Sequence, residues 1–317
     1  MPPPISGIHH VTAISGPAQQ NVDFYVGVLG QRFVKKTVNF DDPGTYHLYY
    51  GDELGRPGTI MTFFPWANAA PGRNGTGMTA ATAYSVPAGS LDYWMERFAD
   101  RALDFDAPTE RFGDLVLGFT DPDGMPLELV AHREAERAPG WADGPVPNEH
   151  AARSFHSVTL ALEDPAPTAR VLDLFGYKHV GDDPSAGSGG RLRFQAPGGG
   201  PASIVDLVQT GERGRPGAGT VHHVAFRARD DEEQRAWQHA LRDAGLFTTE
   251  VKDRQYFRSI YFREPGGVLF EIATDAPGFT ADEAPEALGT DLKLPPWVEG
   301  QRTAIERQLP DLRVPST

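Results

Sequence analysis

Two stretches with doubled histidines, IHHVTAIS at residues 8–15 and VHHVAFRA at residues 221–228, decide how this chain is read, together with GGVLFEIA at residues 266–273. All three are short, rich in β-branched and aromatic residues and flanked by glycine, so each is expected to be a strand. They present two inner imidazoles, His10 and His223, and one carboxylate, Glu271. Two neutral imidazoles and an ionised carboxylate leave a divalent iron with about one net positive charge and about half its octahedral positions free, a donor set that suits a non-haem Fe(II) oxygenase.

Outward from these stretches the chain repeats itself. LGFTDPDGMPLELVA (117–131) lies over IYFREPGGVLFEIAT (260–274), which pairs Phe119 with Phe262, Pro122 with Pro265, Gly124 with Gly267 and Glu128 with Glu271. A third histidine stretch, FHSVTLAL (155–162), matches both doubled-histidine segments. Four related units follow, over residues 6–66, 78–132, 153–209 and 219–275. Each opens on a strand, continues through an amphipathic stretch such as NVDFYVGVLG, DYWMERFADRA, TARVLDLFG or EQRAWQHALRDAG, and closes on two or three strands. The expected fold class is α+β, with four βαβββ modules in two domains and a C-terminal helical tail. EAERAPGWADGPVPNEHA (134–151) lacks periodicity and is rich in Pro, Gly and charge, so it is the expected linker. The expected domains are then 1–150, 151–278 and a helical extension over 279–317. In that extension Trp297, Ile305 and Leu309 are spaced for one helical face, which is expected to pack on a domain or on a neighbouring subunit. A homodimer or a higher homo-oligomer stays open.

The unit order, the doubled HHV motifs and the closing PGGVLFEIA resemble the vicinal oxygen chelate superfamily (glyoxalases, bleomycin-resistance proteins and dioxygenases). Within it they resemble the iron-dependent hydroquinone-type ring-cleaving dioxygenases. The resemblance spans essentially the whole chain, including GQRFVKKTVNFDDPGTYHLYYGDELGRPGTIMTFFP near the start and ALGTDLKLPP near the end. It implies an Fe(II)-dependent enzyme that inserts both atoms of O2 into a substituted hydroquinone during aromatic breakdown. Mn(II) accepts the same donors. The alternatives are a catechol-type extradiol dioxygenase, a glyoxalase-like metal isomerase or lyase, and a metal-free small-molecule binding protein.

Strand parity bears on which histidines are ligands. Neighbours on a strand face opposite sides, so only one of His9 and His10, and one of His222 and His223, is expected to enter a given cavity. In the self-alignment His156 falls opposite His9 and His222, while Ser157 takes the place of His10 and His223. This favours His10 from the first unit with His223 and Glu271 from the fourth, the set the resemblance also implies. Taken singly, a strand histidine is usually a hydrogen-bonded core or surface residue. Glu128 and His156 have no histidine partner in register and read as remnants of duplication, with a second metal site, which Asp206 in IVDLV could join, as the alternative. A superfamily isomerase would draw a fourth carboxylate from the closing strand of the first unit, and TIMTFFP (59–65) has none.

Thr12 lies two residues beyond His10 on the same strand face, close to a metal-bound substrate, although spacing alone equally suits an ordinary β-branched strand residue. The resemblance implies that Arg254 and Tyr261, in DRQYFRSIYF, lie around the substrate, where a guanidinium and a phenol stabilise negative charge on oxygen. It also implies supporting roles for His9 and His222. Parity puts these two on the far face unless the strands bulge.

Composition sets outer bounds. The chain has 317 residues, 39% of them hydrophobic, and a net charge of -14, which disfavours nucleic acid and anionic membranes as partners. The start MPPPISG lacks a basic segment and no apolar run is long enough for a signal sequence or membrane span, so a cytoplasmic location is expected. With no cysteine, disulfides, thiolate-bound zinc and iron–sulfur clusters are excluded. The glycine runs SAGSGG (185–190) and PGGGP (197–201) lack a P-loop lysine and read as hairpin loops.

Overall fold

The computed structural model describes residues 2–186 and 189–315. Gly187 and Ser188, in the first glycine run, lie outside the described residues. The first unit comprises β1 (Ile8–Ser15), a short α1 (Ala18–Val22) that continues as a π-helical turn over Asp23–Val28, then β2 (Arg32–Asn39), β3 (Asp42–Gly51) and β4 (Ile60–Pro65). The second comprises β5 (Met78–Val86), α2 (Leu91–Ala99), β6 (Thr109–Arg111), β7 (Asp114–Thr120) and β8 (Pro126–Ala131). The third comprises β9 (Phe155–Leu162), α3 (Pro165–Leu174), β10 (Lys178–Asp183), β11 (Arg191–Gln195) and β12 (Ile204–Gln209). The fourth comprises β13 (Thr220–Ala228), α4 (Asp231–Asp243), β14 (Lys252–Asp253), β15 (Arg258–Arg263) and β16 (Leu269–Thr274).

Helix ends follow local chemistry. Asp230 caps α4 by accepting from the Glu233 N–H at 2.9 Å, and three acids fill the first turn, where the helix dipole favours negative charge. Gln234, Trp237, Gln238 and Leu241 then form its buried stripe. Asp164 and Pro165 start α3 in the same way.

The units pair across the chain. One eight-stranded sheet runs β14-β15-β16-β13-β1-β4-β3-β2 and joins the fourth unit to the first. The other runs β10-β11-β12-β9-β5-β8-β7-β6 and joins the third to the second. The seams are the antiparallel pairs β1·β13 and β5·β9, and β1 and β9 are buried throughout. Sheet membership therefore cuts across the sequence halves on either side of 134–151. That stretch is itself packed down, with Val146 buried against Gly30 and the His150 carbonyl accepting from Trp94 Nε1 at 2.9 Å.

Apolar faces of both sheets and the helices merge into one main core. Phe175 at the end of α3 packs on Phe226, Phe262, Phe270 and Trp237 of the fourth unit, which ties the two sheets together. Gly219, just before the second doubled histidine, has φ of +79°, and a Cβ there would lie 2.1 Å from the Asp123 carbonyl oxygen. Only glycine fits that entry into β13.

The tail wraps the first sheet. Buried Lys35 holds Asp282 at 2.6 Å and also pairs with Glu283, and Tyr46 donates to the Pro310 carbonyl at 2.9 Å. The helix expected there is shorter than its periodicity suggests. α5 spans Arg302–Gln308, with Ile305 and Leu309 buried, while Trp297 precedes it, stays 51% exposed and rests its ring on Phe40. Gly300 lies between Trp297 and α5, where glycine weakens an α-helix, and Glu299–Gln301 form a tighter 3-10 turn instead. Among the described residues, no helix is long and apolar enough to cross a membrane.

Candidate metal centre

The seam between β1 and β13 places His10 beside His223, and β16, parallel to β13, places Glu271 opposite Ala225. His223 Nε2 lies 2.9 Å and His10 Nε2 3.4 Å from Glu271 Oε2, and the two Nε2 atoms are 3.4 Å apart. All three side chains are buried. Glu271 Oε2 nevertheless has no aligned hydrogen-bond donor. Three lone-pair atoms thus converge on a point rather than on one another, and that is the arrangement a cation requires. The other carboxylate oxygen, Oε1, accepts from Ser259 at 2.5 Å. Burial alone would raise the Glu271 carboxyl, but the two imidazoles beside it hold it well below the usual range. Burial lowers His223 despite the opposing pull of Glu271.

The outer histidines show why both members of each pair matter. Along the seam Ile8 pairs with Phe226 and His10 with Ala225, so His9 is an extra residue on β1. Thr12 pairs with His223 and Ala13 with Val221, so His222 is an extra residue on β13. Each sits on a β-bulge, a device that re-aims side chains next to functional sites. His9 Nδ1 lies 2.9 Å from His10 Nδ1, and His222 Nδ1 lies 2.8 Å from His223 Nδ1. With a cation at the centre, each inner imidazole would carry its proton on Nδ1 and donate it to its neighbour, which would fix tautomer and ring orientation. Burial, then the adjoining histidine, lowers both outer groups. His222 falls to about 4 although one edge of its ring faces solvent, and His9 falls well below its ordinary value. His222 opens onto the same cavity as His10 and His223, whereas His9 faces a small separate cavity beside Tyr256 and Phe257.

The central cavity has a volume of about 240 Å³. Its aromatic walls include Phe40, Phe64, Trp66 and Phe257. Tyr261 on β15 pairs with Glu271 in register, its hydroxyl accepts from Arg254 Nε at 3.1 Å, and Arg254 is held by Asp41 at 3.0 Å. Thr12 lines the same cavity, as its spacing from His10 suggests. Residues not singled out by sequence also face this space, among them Asp41, His47 and Tyr49, with Ser259 behind Glu271.

Glu128, His156 and Asp206 do not converge. Arg111 takes both Glu128 oxygens at 2.8 and 2.9 Å, Arg193 and Arg191 take Asp206, and His156 bonds Ser157 at 3.1 Å. A carboxylate whose lone pairs are filled by a guanidinium fork has none to offer a cation. A larger cavity of about 860 Å³ lies on the second sheet beside His156 and Arg153, so cavity size does not mark the chemistry here. Among the described residues, His10, His223 and Glu271 are the one group of three such side chains that gathers ligand atoms within 4.8 Å.

The profile of the Glyoxalase/Bleomycin resistance protein/Dioxygenase superfamily matches residues 7–129 and 131–272. The chain belongs to this superfamily. Superfamily relatives include the "Putative ring-cleaving dioxygenase MhqO" of Bacillus subtilis (strain 168), 48% identical over 305 residues that cover 96% of this chain and 95% of the relative. The "Chlorohydroquinone/hydroquinone 1,2-dioxygenase" of Sphingobium indicum is 39% identical over 322 residues, 98% of either chain. The crystal structure of a "putative dioxygenase" from Bacillus subtilis subsp. subtilis str. 168 superposes with a TM-score of 0.93 at 46% identity, covering 99% of either chain. Superfamily membership accounts for the α+β class and the two curled sheets.

Proposed function

We propose that this chain is an Fe(II)-dependent ring-cleaving dioxygenase that acts on hydroquinones in the cytoplasm, with His10, His223 and Glu271 as the metal ligands. The observation that carries the reading is the three-donor centre with one corner left without a carboxylate. Thr62 on β4 pairs with Thr12 as Glu271 on β16 pairs with Ala225, and Thr12 and Ala225 each lie two residues beyond an inner histidine. A hydroxyl therefore stands where a fourth carboxylate would complete the coordination of an isomerase. The orphaned Glu271 Oε2 and the buried negative charge fit a divalent cation, and nitrogen with oxygen donors suits iron or manganese. When bound, a ferrous ion would supply the electron transfer between an aromatic ring and dioxygen.

The remaining work falls to the protein. A para-hydroquinone reaches the centre through only one hydroxyl and lacks the chelate that orients a catechol, so the walls must orient the ring. Phe40, Phe64 and Trp66 offer faces and edges for that, and exclude water. Because Arg254 can only donate, Tyr261 accepts from it and keeps its own proton free for an oxygen in the cavity. Burial, with Glu271 nearby, pushes the Tyr261 hydroxyl up, so it acts as a donor rather than a phenolate. His9 and His222 hold the inner imidazoles in the productive tautomer. The printed activity of the Sphingobium indicum relative supports the same substrate class.

The test is anaerobic loading with Fe(II) or Mn(II), followed by oxygen uptake with a panel of hydroquinones and catechols. Stoichiometric consumption of O2 with para-hydroquinones is expected. Turnover of catechols with every hydroquinone refused would replace this reading by the catechol alternative.

A further inference from the structure

We infer that Tyr49, His47 and Thr62 form a hydrogen-bond chain that fixes the Thr12 hydroxyl as a donor to an anionic oxygen of the aromatic ligand. The phenolic identity of that ligand rests on the function proposed above, whereas the chain and its direction rest on geometry alone.

The members come from three adjacent strands. β3 carries His47 and Tyr49 on one face, β4 brings Thr62 opposite Tyr49, and β1 brings Thr12 opposite Thr62. Tyr49 Oη lies 2.8 Å from His47 Nδ1, His47 Nε2 lies 2.7 Å from Thr62 Oγ1, and Thr62 Oγ1 lies 3.0 Å from Thr12 Oγ1. The His47 ring is held in place by Tyr49 at 4.1 Å and Phe64 at 4.4 Å between centroids. Thr12, Thr62 and Tyr49 are buried.

Direction follows from satisfying every hydrogen. Burial pushes the Tyr49 hydroxyl well up, so it keeps its proton, and among the described residues its protein acceptor is His47 Nδ1. His47, lowered by burial and neutral, must then carry its hydrogen on Nε2 and donate it to Thr62. Thr62 donates onward to Thr12. The Thr12 hydrogen is the one left without a protein acceptor, and Thr12 lines the metal cavity. Running the chain in reverse would strand the Tyr49 proton beside a donor, at the cost of a buried unsatisfied group. The result is a second preorganised donor in the cavity beside Tyr261, so an anionic oxygen is preferred over an ether or a methyl group at that position. Thr12 would touch the ligand. Thr62, His47 and Tyr49 are positioning residues.

The test uses full-length protein loaded with redox-inert Zn(II), with 4-nitrophenol as the probe and phenolate binding read by absorbance. Thr12→Val should weaken phenolate binding by roughly 10- to 100-fold, as expected for a hydrogen bond to a charged group, with zinc content unchanged. Thr62→Val should also weaken it, Thr62→Ser should restore it, and the double Thr12→Val/Thr62→Val should bind no more weakly than Thr12→Val alone, because Thr62 acts through Thr12. In ¹⁵N-labelled protein, the His47 ring, assigned by its loss in His47→Gln, should carry hydrogen on Nε2. Additive losses in the double variant, unchanged binding in Thr12→Val, or hydrogen on His47 Nδ1 each overturn the inference. Oxygen uptake with hydroquinone separates the two readings. Coupling without uptake sinks the dioxygenase and leaves the chain, and uptake without coupling does the reverse.

Discussion

Replacing Tyr261 by phenylalanine removes one hydroxyl and little else. The ring edge packed against His223 at 5.6 Å remains, and none of the converging ligand atoms belongs to Tyr261, so metal content should stay at the level of the unaltered protein. Two bonds are lost: the one accepted from Arg254 at 3.1 Å and the one the phenol can donate into the cavity. Arg254 keeps Asp41 at 3.0 Å, so the guanidinium is not left without a partner and the fold should tolerate the change. The donated bond matters most when charge grows on a substrate oxygen, and loss of one such donor costs roughly 10- to 1,000-fold in kcat. A neutral hydrogen bond equally strong before and in the transition state would instead raise KM and spare kcat. The assay is oxygen uptake with para-hydroquinone on iron-loaded protein, with kcat and KM separated and iron measured on the same sample. A parent-level kcat, or a loss of activity that tracks a loss of iron, would refute the donor role.

Other changes probe the rest of the molecule. His10→Ala, His223→Ala and Glu271→Ala should each lose tightly held iron and ring cleavage, because two donors hold a labile divalent ion poorly. Full iron in His10→Ala with loss in His156→Ala would place the metal on His156 instead. Glu128→Gln should leave metal stoichiometry and turnover nearly unchanged while lowering stability by about 1–3 kcal/mol through the weakened Arg111 pair, as denaturant titration would report. A halved metal content would instead reveal a second site. Burial holds the pKa of His156 well below that of a free imidazole, so the unfolded chain binds the extra proton and stability falls as pH drops below about 6.5. His156→Gln should remove that share, up to about 1.4 kcal/mol per pH unit, and equal pH slopes in the two proteins would contradict it.

Much of the site is legible in the sequence because its three converging side chains sit on repeated strands. Doubled histidines at equivalent positions and the closing Glu271 stand out against their own copies, Ser157 and Glu128, and the comparison singles out His10 and His223 before any coordinates. Strand parity alone would discard His9 and His222. Their hydrogen bonds to the ligands depend on two bulges whose positions follow from the pairing of β1 with β13, and pairing between segments more than 200 residues apart leaves no local trace. The same gap hides which units share a sheet, since the Pro- and Gly-rich 134–151 stretch reports on chain connection and not on strand partners. Asp41 and Ser259 read as ordinary turn and strand residues. They acquire meaning only once Arg254 and Glu271 are placed against them. Trp297 fits the helical spacing of Ile305 and Leu309, but Gly300 and the 3-10 turn around it interrupt the α-helix between them.

The pairing of the first and fourth units explains why duplication yields one asymmetric centre instead of two equal halves. β1 and β13 run antiparallel across the seam, and their outer neighbours match: His10 answers to His223, Thr62 to Glu271, Tyr49 to Tyr261 and His47 to Ser259. On the fourth-unit side a carboxylate is supported by a serine and flanked by a tyrosine tied to arginine. On the first-unit side a threonine stands in place of the carboxylate, and in place of the serine stands a histidine that links that threonine to a tyrosine. A second carboxylate at Thr62 would add negative charge to a buried centre and occupy a corner that, under the proposed function, a substrate oxygen and dioxygen would share. A hydroxyl there, fastened from behind by His47, leaves the corner open and lines it with a donor. The two walls can then hold the two ends of one ring differently, as a molecule bound through only one of its hydroxyls requires.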